Sequence, residues 1–350
     1  MVPIAITLAV TATRRPRPAL STQEAGDPAL VARVKAHLAT STGVRDRMSI
    51  SVIDGDDVQT ATFGATIDTE YEIGSVTKTM TASLLQDMIE RGETTPDTRL
   101  GDLLDLRGST AASITLDELA THHSGLPRIP ATCRMLANSL RFLFLAKDPY
   151  GDTIERLVAD TRKTKLGSLV FEYSNFGYAL LGQALSTRAG TDYSTLLQDR
   201  ILTPIGMPAT LAPSRVSDLA PGAPTGFTAG GCRSDPWVLG AYAPAGSVRS
   251  TLVDMTAYVR AHLDGTAPGT ASTEPRTDAD DDRIGYAWFT TDGIVWHNGG
   301  TGGFRSWIGF DRESRRGAVV LSNTVSDIDD LGLALVRGEL TNRARDAASQ

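Results

Sequence analysis

Strand-like segments crowd the two ends of this chain and leave the middle to helices. That distribution restricts the fold more than any other feature. Near the start, MSISVID and DVQTATF flank an Asp–Gly–Asp–Asp turn, as the arms of a β-hairpin do. Near the end, IGYAWFT, GIVWHN, FRSWIGFD and GAVVLSN are short runs rich in aromatic and β-branched residues. A helix is predicted from Pro28, where Leu30, Val31, Val34 and Leu38 share one side. Another is predicted over 327–340, its stripe of Ile328, Leu331, Leu335 and Leu340 interrupted by Gly332 and Gly338. A sheet must cover its apolar face, so these terminal helices are expected to pack on it. Residues 75–265 read as mostly helical, and Thr115 and Thr251 each precede an acidic residue by three, a helix-start signature. The expected class is therefore α/β (α+β). A sheet lobe (28–74 plus 283–345) would carry an inserted helical lobe (75–265), with an exposed loop at 266–282 rich in turn formers.

At 350 residues the chain has room for one large domain or two intimately packed ones. Its 34 basic and 41 acidic side chains give a net charge of −7, which argues against nucleic-acid binding. Cys133 and Cys232 cannot make a thiolate zinc site alone and allow at most one intrachain disulfide, which would fit export. The first 27 residues are expected to be a flexible arm or an export signal. The apolar run at 2–12 is too short to span a bilayer and lacks the basic segment that normally precedes a signal core. An export signal implies a secreted or periplasmic protein, an arm a cytoplasmic one. No later stretch reaches transmembrane length, and oligomeric state is not legible.

Three local patterns carry chemistry. In TEYEIGSVTKTMTASLLQDMIERGE, Met80, Leu84, Leu85, Met88 and Ile89 recur at helical spacing, so a helix is predicted from Ser75 or Val76 to near Gly92. Ser75 and Lys78 then share a face of its first turn. A nucleophilic serine needs a proton acceptor, and a lysine supplies one where its surroundings favour the neutral amine. The Ser75 N–H at that helix start can also meet a developing oxyanion. Only five of the 34 basic residues are lysines, so this one is less easily dismissed as surface filler. Tyr173–Ser174–Asn175 lies in a turn before another predicted helix; a tyrosine there can exchange protons, and a cation would lower its pKa. The bland alternative is a packed tyrosine beside a helix cap. Trp296–His297–Asn298–Gly299–Gly300–Thr301–Gly302–Gly303 places four glycines where backbone can approach a ligand closely, or where a hairpin simply bends. His297 has no partner at metal-ligand spacing, and neither metal nor cofactor is implied.

In order and spacing these elements resemble the serine β-lactamase and penicillin-binding superfamily, on the side that holds class C β-lactamases, D-alanyl-D-alanine carboxypeptidases and related esterases. Ser75–Val76–Thr77–Lys78 matches the first motif and Tyr173–Ser174–Asn175 the second, while His297–Asn298–Gly299 stands where a lysine usually leads the third. LATHHSGLP, PAGSVRSTLVDM and WHNGGTGGFRSWIGFD extend the likeness over about residues 28 to 340. The resemblance implies a β-lactamase/transpeptidase-like fold: an antiparallel sheet of about five strands flanked by helices, an all-helical region, and a cleft between them. It implies Ser75 as acylated nucleophile, Lys78 in the proton transfers, and Tyr173 as general base in acylation and deacylation. Asn175 would position Lys78 and the substrate, and His297 would bond near Tyr173 and a substrate carboxylate. Asn298, Gly299, Thr301 and Arg305 would line the substrate site, and the N–H groups of Ser75 and Gly300 would form the oxyanion hole. The expected activity is hydrolysis of an amide or ester in a small molecule or peptide, of DD-peptidase, D-amino-acid amidase or esterase type. A class C-like β-lactamase, an acyltransferase or peptide cyclase, and a non-catalytic binding relative are the alternatives. Histidine at 297 weighs against an efficient β-lactamase, because imidazole is mostly neutral near pH 7.

Overall fold

The computed structural model describes residues 17–219 and 223–340. The apolar run at 2–12 and the segment 341–345 lie outside the described residues. In the first half of the chain lie strands β1 (Glu24–Gly26), β2 (Met48–Asp54), β3 (Asp57–Phe63) and β4 (Tyr71–Glu72), and β5 (Arg249–Ser250) follows much later. Then come β6 (Thr277–Ala279), β7 (Asp282–Ile284), β8 (Phe289–Thr291), β9 (Ile294–Gly300), β10 (Arg305–Asp311) and β11 (Arg316–Ser322). Nine of them form one antiparallel sheet in the order β1-β3-β2-β11-β10-β9-β8-β7-β6, and β4 pairs with β5 apart from it. The five expected strands are its contiguous centre, each seven residues long, and short strands lengthen both edges.

One edge strand corrects the sequence expectation. Glu24–Gly26, assigned to a free arm, pairs with β3 in the register Glu24↔Phe63 to Gly26↔Ala61. Its residues carry no strand signal, and pairing rests on Gly26 (φ 107), where a side chain would strike the Thr60 carbonyl. Likewise IGYAWFT is not one strand. The N–H groups of Tyr286 and Ala287 donate to Ser272 and Ala120 carbonyls, which breaks the run between β7 and β8. The same contact corrects the loop at 266–282: Ser272 and Thr273 are buried, and the segment ends in β6. Polar composition marked it as loop, but the Thr273 hydroxyl and the Ser272 backbone find partners inside.

Seven longer helices surround the sheet: α1 (Pro28–Ala39), α2 (Thr77–Glu90), α3 (Cys133–Leu145), α4 (Ile154–Lys163), α5 (Asn175–Ala189), α6 (Leu252–Leu263) and α7 (Asp329–Arg337). Asp27 caps α1 by accepting from the Leu30 N–H at 2.8 Å, and Pro28 opens the first turn. Helices α1 and α7 cover one face of the sheet, where Leu30, Val34, Leu331 and Leu335 meet Met48, Ile50, Trp307 and Val320. Gly338, in the left-handed region, stops α7 short of its predicted end. The opposite face receives α6, with Val259 and Met255 joining Ile53, Ile308, Phe310 and Val319 in a core that continues into the helical region. There α2 and α5 are buried nearly all round, which makes them the central rods of that region. Thr115 and Glu118 complete the expected reciprocal cap of Leu116–Ala120. At α6, Thr251 caps alone, because the Asp254 carboxylate accepts instead from Ala209 N–H and the Thr210 hydroxyl. Cys133 and Cys232 are both free and exposed. Among the described residues no helix is long and apolar enough to cross a membrane.

Candidate active site

The chain enters α2 through a tighter turn than the sequence suggests. Gly74–Val76 forms one 3₁₀ turn before the α-helix proper begins at Thr77. Gly74 sits at φ 51, and a Cβ there would lie 2.6 Å from the Gly300 amide nitrogen. Only glycine lets the start of this turn press against the end of β9. Ser306 holds the preceding residue from the sheet, its hydroxyl donating to the Ile73 carbonyl at 2.6 Å. Ser75 is thereby presented, partly exposed, between α2 and the glycine-rich end of β9.

One turn on, Lys78 is fully buried. Its Nζ lies 3.1 Å from Ser75 Oγ and donates to the Ala245 carbonyl at 2.7 Å. It stands 4.9 Å from the Tyr173 ring centre and 5.8 Å from that of Tyr178. No carboxylate pairs with it among the described residues. Burial, reinforced by the Arg128 cation, therefore drives its pKa far below the ordinary lysine value. A neutral amine with a lone pair beside a serine hydroxyl is equipped to take that hydroxyl's proton.

Tyr173 leads into α5, whose first turn Ser174 caps by accepting from Gly177 N–H at 2.9 Å. A nearby cation would be expected to lower the phenol pKa. Instead burial raises it, and the Ser75 hydroxyl and the Arg128 guanidinium only partly offset that. The phenol is thus protonated near neutral pH. Asn175 also departs from expectation: its Nδ2 donates to the Tyr150 hydroxyl at 2.8 Å, and Lys78 is not among its partners.

His297 differs most. It is buried on the inner side of β9, does not line the cleft, and its Nδ1 faces the Asn298 carbonyl. Burial, then the Lys78 amine, lower its pKa to about 3, so it brings no positive charge. Its neighbours do line the cleft, a space of about 600 Å³ bordered by Ser75, Tyr173, Asn298, Gly299, Gly300, Thr301 and Arg305. Asn298 is committed to Asp329 of α7, to which its Nδ2 donates at 2.5 Å. Arg305 donates to the Phe304 carbonyl at 3.1 Å. Arg128, Phe289, Trp296, which stacks on Phe289, and Asp329 also line the cleft wall, and neither Phe289 nor Asp329 carries a site signal in the sequence. Arg128 is exposed and holds its guanidinium 5.2 Å from the Tyr173 ring centre. It follows LATHHSGLP directly, so proximity to that motif was its one available hint. Among the described residues no group of three or more histidines, cysteines or carboxylates is placed to hold a metal ion.

Comparison with known proteins bears on the family and the fold. A family model described as beta-lactamase matches residues 31–341. Penicillin-binding protein 4 of Amycolatopsis lactamdurans is 27% identical over 216 residues, covering 58% of this chain and 53% of that protein. An unguisins hydrolase of Aspergillus campestris is 25% identical over 340 residues, covering 83% and 60%. The chain thus spans a little over half the length of these relatives. In shape it resembles a class C β-lactamase from Rhodobacter sphaeroides, with a TM-score of 0.74 at 20% identity over 90% of this chain and 98% of that one.

Proposed function

This chain belongs to the beta-lactamase family, and we propose that it is a serine acyl hydrolase working through a covalent acyl-enzyme at Ser75. The observation that carries this reading is the 3.1 Å approach of Lys78, buried and with its pKa driven far below the ordinary lysine value, to the Ser75 hydroxyl. Ser75 Oγ attacks the acyl carbonyl of an ester or amide while its proton passes to Lys78 Nζ. The N–H groups of Ser75 and Gly300, brought together by the Gly74 turn, take the negative charge on the carbonyl oxygen. As the tetrahedral species collapses, the protonated Tyr173 gives its proton to the leaving alcohol or amine and regains one from Lys78. Water then attacks the acyl-enzyme carbonyl, and the same pair returns the proton to Ser75. Tyr173 enters as an acid rather than a resting phenolate, because its pKa is raised.

The sheet would form one lobe and residues 75–265 the other, with the cleft between them. Esters, D-amino-acid amides and D-alanyl-D-alanine peptides are the favoured substrate classes. A class C-like β-lactamase ranks second, since β-lactams carry a carboxylate and the third motif offers only a neutral, buried imidazole. Intact-mass measurement after fluorophosphonate treatment tests the assignment. One adduct on the wild type and none on Ser75→Ala is the expected result; equal labelling of both overturns it. Turnover of nitrocefin, p-nitrophenyl esters and D-alanyl-D-alanine peptides then separates the substrate classes.

A further inference from the structure

Two buried histidines flank Tyr173, and the proton transfers above use neither. His122 follows Leu116–Ala120 with φ 63, and its ring centre lies 4.5 Å from that of Tyr173 and 4.9 Å from that of Tyr178. The His297 ring lies 6.2 Å from that of Tyr173. Each ring has one nitrogen fixed by backbone. The Ser174 N–H donates to His122 Nδ1 at 3.1 Å, so that nitrogen is bare and the proton sits on Nε2. His297 Nδ1 faces the Asn298 carbonyl, which only accepts, so there the proton sits on Nδ1 and Nε2 is bare. Both Nε2 atoms are buried with no hydrogen-bond partner among the described residues. One is a donor, the other an acceptor, and a buried polar atom left unsatisfied costs about 1–3 kcal/mol.

We propose that His122 and His297 form a tautomer-matched pair behind Tyr173, joined by one buried water that accepts from His122 Nε2–H and donates to His297 Nε2, and that the pair positions the tyrosine for proton transfer. A bridging water needs two or more polar partners in a confined space, and these two orphaned nitrogens supply them. Burial above all disfavours the charged form of both rings, and the nearest rings are Phe171, Tyr173, Tyr178 and Phe289. A charged ring would carry protons on both nitrogens and lose the match. His122 and His297 are thus positioning residues. The role rests on the hydrolase reading, but the pair itself does not.

Nitrogen-15 NMR of histidine-labelled full-length protein at pH 7 reads the tautomers without any turnover. The expected result is Nε2–H on His122 and Nδ1–H on His297; the same tautomer on both rings, or a charged ring, overturns the pair. Function is read from the rate of Ser75 labelling by a fluorophosphonate. Asparagine at 122 suits the positive φ and keeps an acceptor for the Ser174 N–H, but loses the distal donor; glutamine reaches the distal position. His122→Asn is expected to slow labelling by about tenfold, and His122→Gln to restore it to within about threefold. Combining His122→Asn with His297→Asn should cost no more than the worse single change, as residues acting as a unit do. Asparagine and glutamine of equal rate, or additive losses, overturn the positioning role. If the wild type is not labelled at Ser75, the hydrolase reading and the positioning role both fall, while the tautomers still decide the pair.

Discussion

Toward α1 and α7, strand β2 presents Met48 and Ile50; toward α6 it presents Ser49 and Ser51. The same alternation runs through the sheet. On β10, Trp307 packs into the outer core while Ser306 points inward to the Ile73 carbonyl, and on β9 the inward residue is His297. The outer face is held by apolar area, about 25 cal/mol for each Å² removed from water. The inner face spends several of its positions on hydroxyls and an imidazole. Their hydrogen bonds add about 1 kcal/mol each, and one of them, from Ser306 to the Ile73 carbonyl, anchors the backbone that leads into Ser75. One sheet thus separates a stabilising surface from a positioning surface by a shift of one residue.

The largest expected effect lies at the centre of the positioning side. Lys78→Met keeps the volume and removes the proposed proton acceptor. Ser75 labelling should fall by about 10³-fold, while the urea midpoint holds or rises, since a buried amine gives way to an apolar group. A folded Lys78→Met protein with near-normal labelling would break the assignment. Neighbours on β10 sharpen the contrast. Trp307→Ala should cost about 3–5 kcal/mol in urea unfolding with little change in the labelling rate of the folded fraction. Ser306→Ala should cost only about 1–2 kcal/mol but slow labelling by about tenfold, because the Ile73 carbonyl loses the group that anchors the Gly74 turn. If the Trp307 change slowed the chemistry and the Ser306 change did not, the two faces would not divide the work as described.

The seven-residue strands were legible because alternating or β-branched runs survive into the fold almost residue for residue, as MSISVID and DVQTATF do in β2 and β3. Ser75, Lys78 and Tyr173 were singled out through spacing and order, and the fold sets the three side by side. What stayed hidden depends on distant chain meeting. Glu24–Gly26 becomes a strand only because β3 offers it an edge. His297 loses its charge only because Lys78, the Tyr173 ring and Phe289 enclose it, and composition cannot report that enclosure. The partner of Asn175 was misread for the same reason: Tyr150 reaches it from a separate loop 25 residues away.

The smallest expected effect concerns acid. His122, His262 and His297 are the buried imidazoles among the described residues, and all lie on the inner side of the sheet or in the helical region. His262, between Tyr258 and Trp288 and away from the cleft, has its pKa lowered to about 3 by burial and then by Arg312. An unfolded histidine titrates near 6.5. Between those values the unfolded chain binds the extra proton and the folded chain does not, so stability falls as pH drops from about 6.5 toward 3. Above that window the group contributes no pH dependence. For His262 alone, lowering the pH from 7.5 to 5.5 should cost about 1 kcal/mol, and His262→Gln should lose about that much less than the wild type over the same interval. Urea unfolding at the two pH values measures it. Trp307→Ala, on the face without a buried histidine, should leave the slope of the wild type intact; a changed slope there would mean that acid sensitivity is not confined to the inner side.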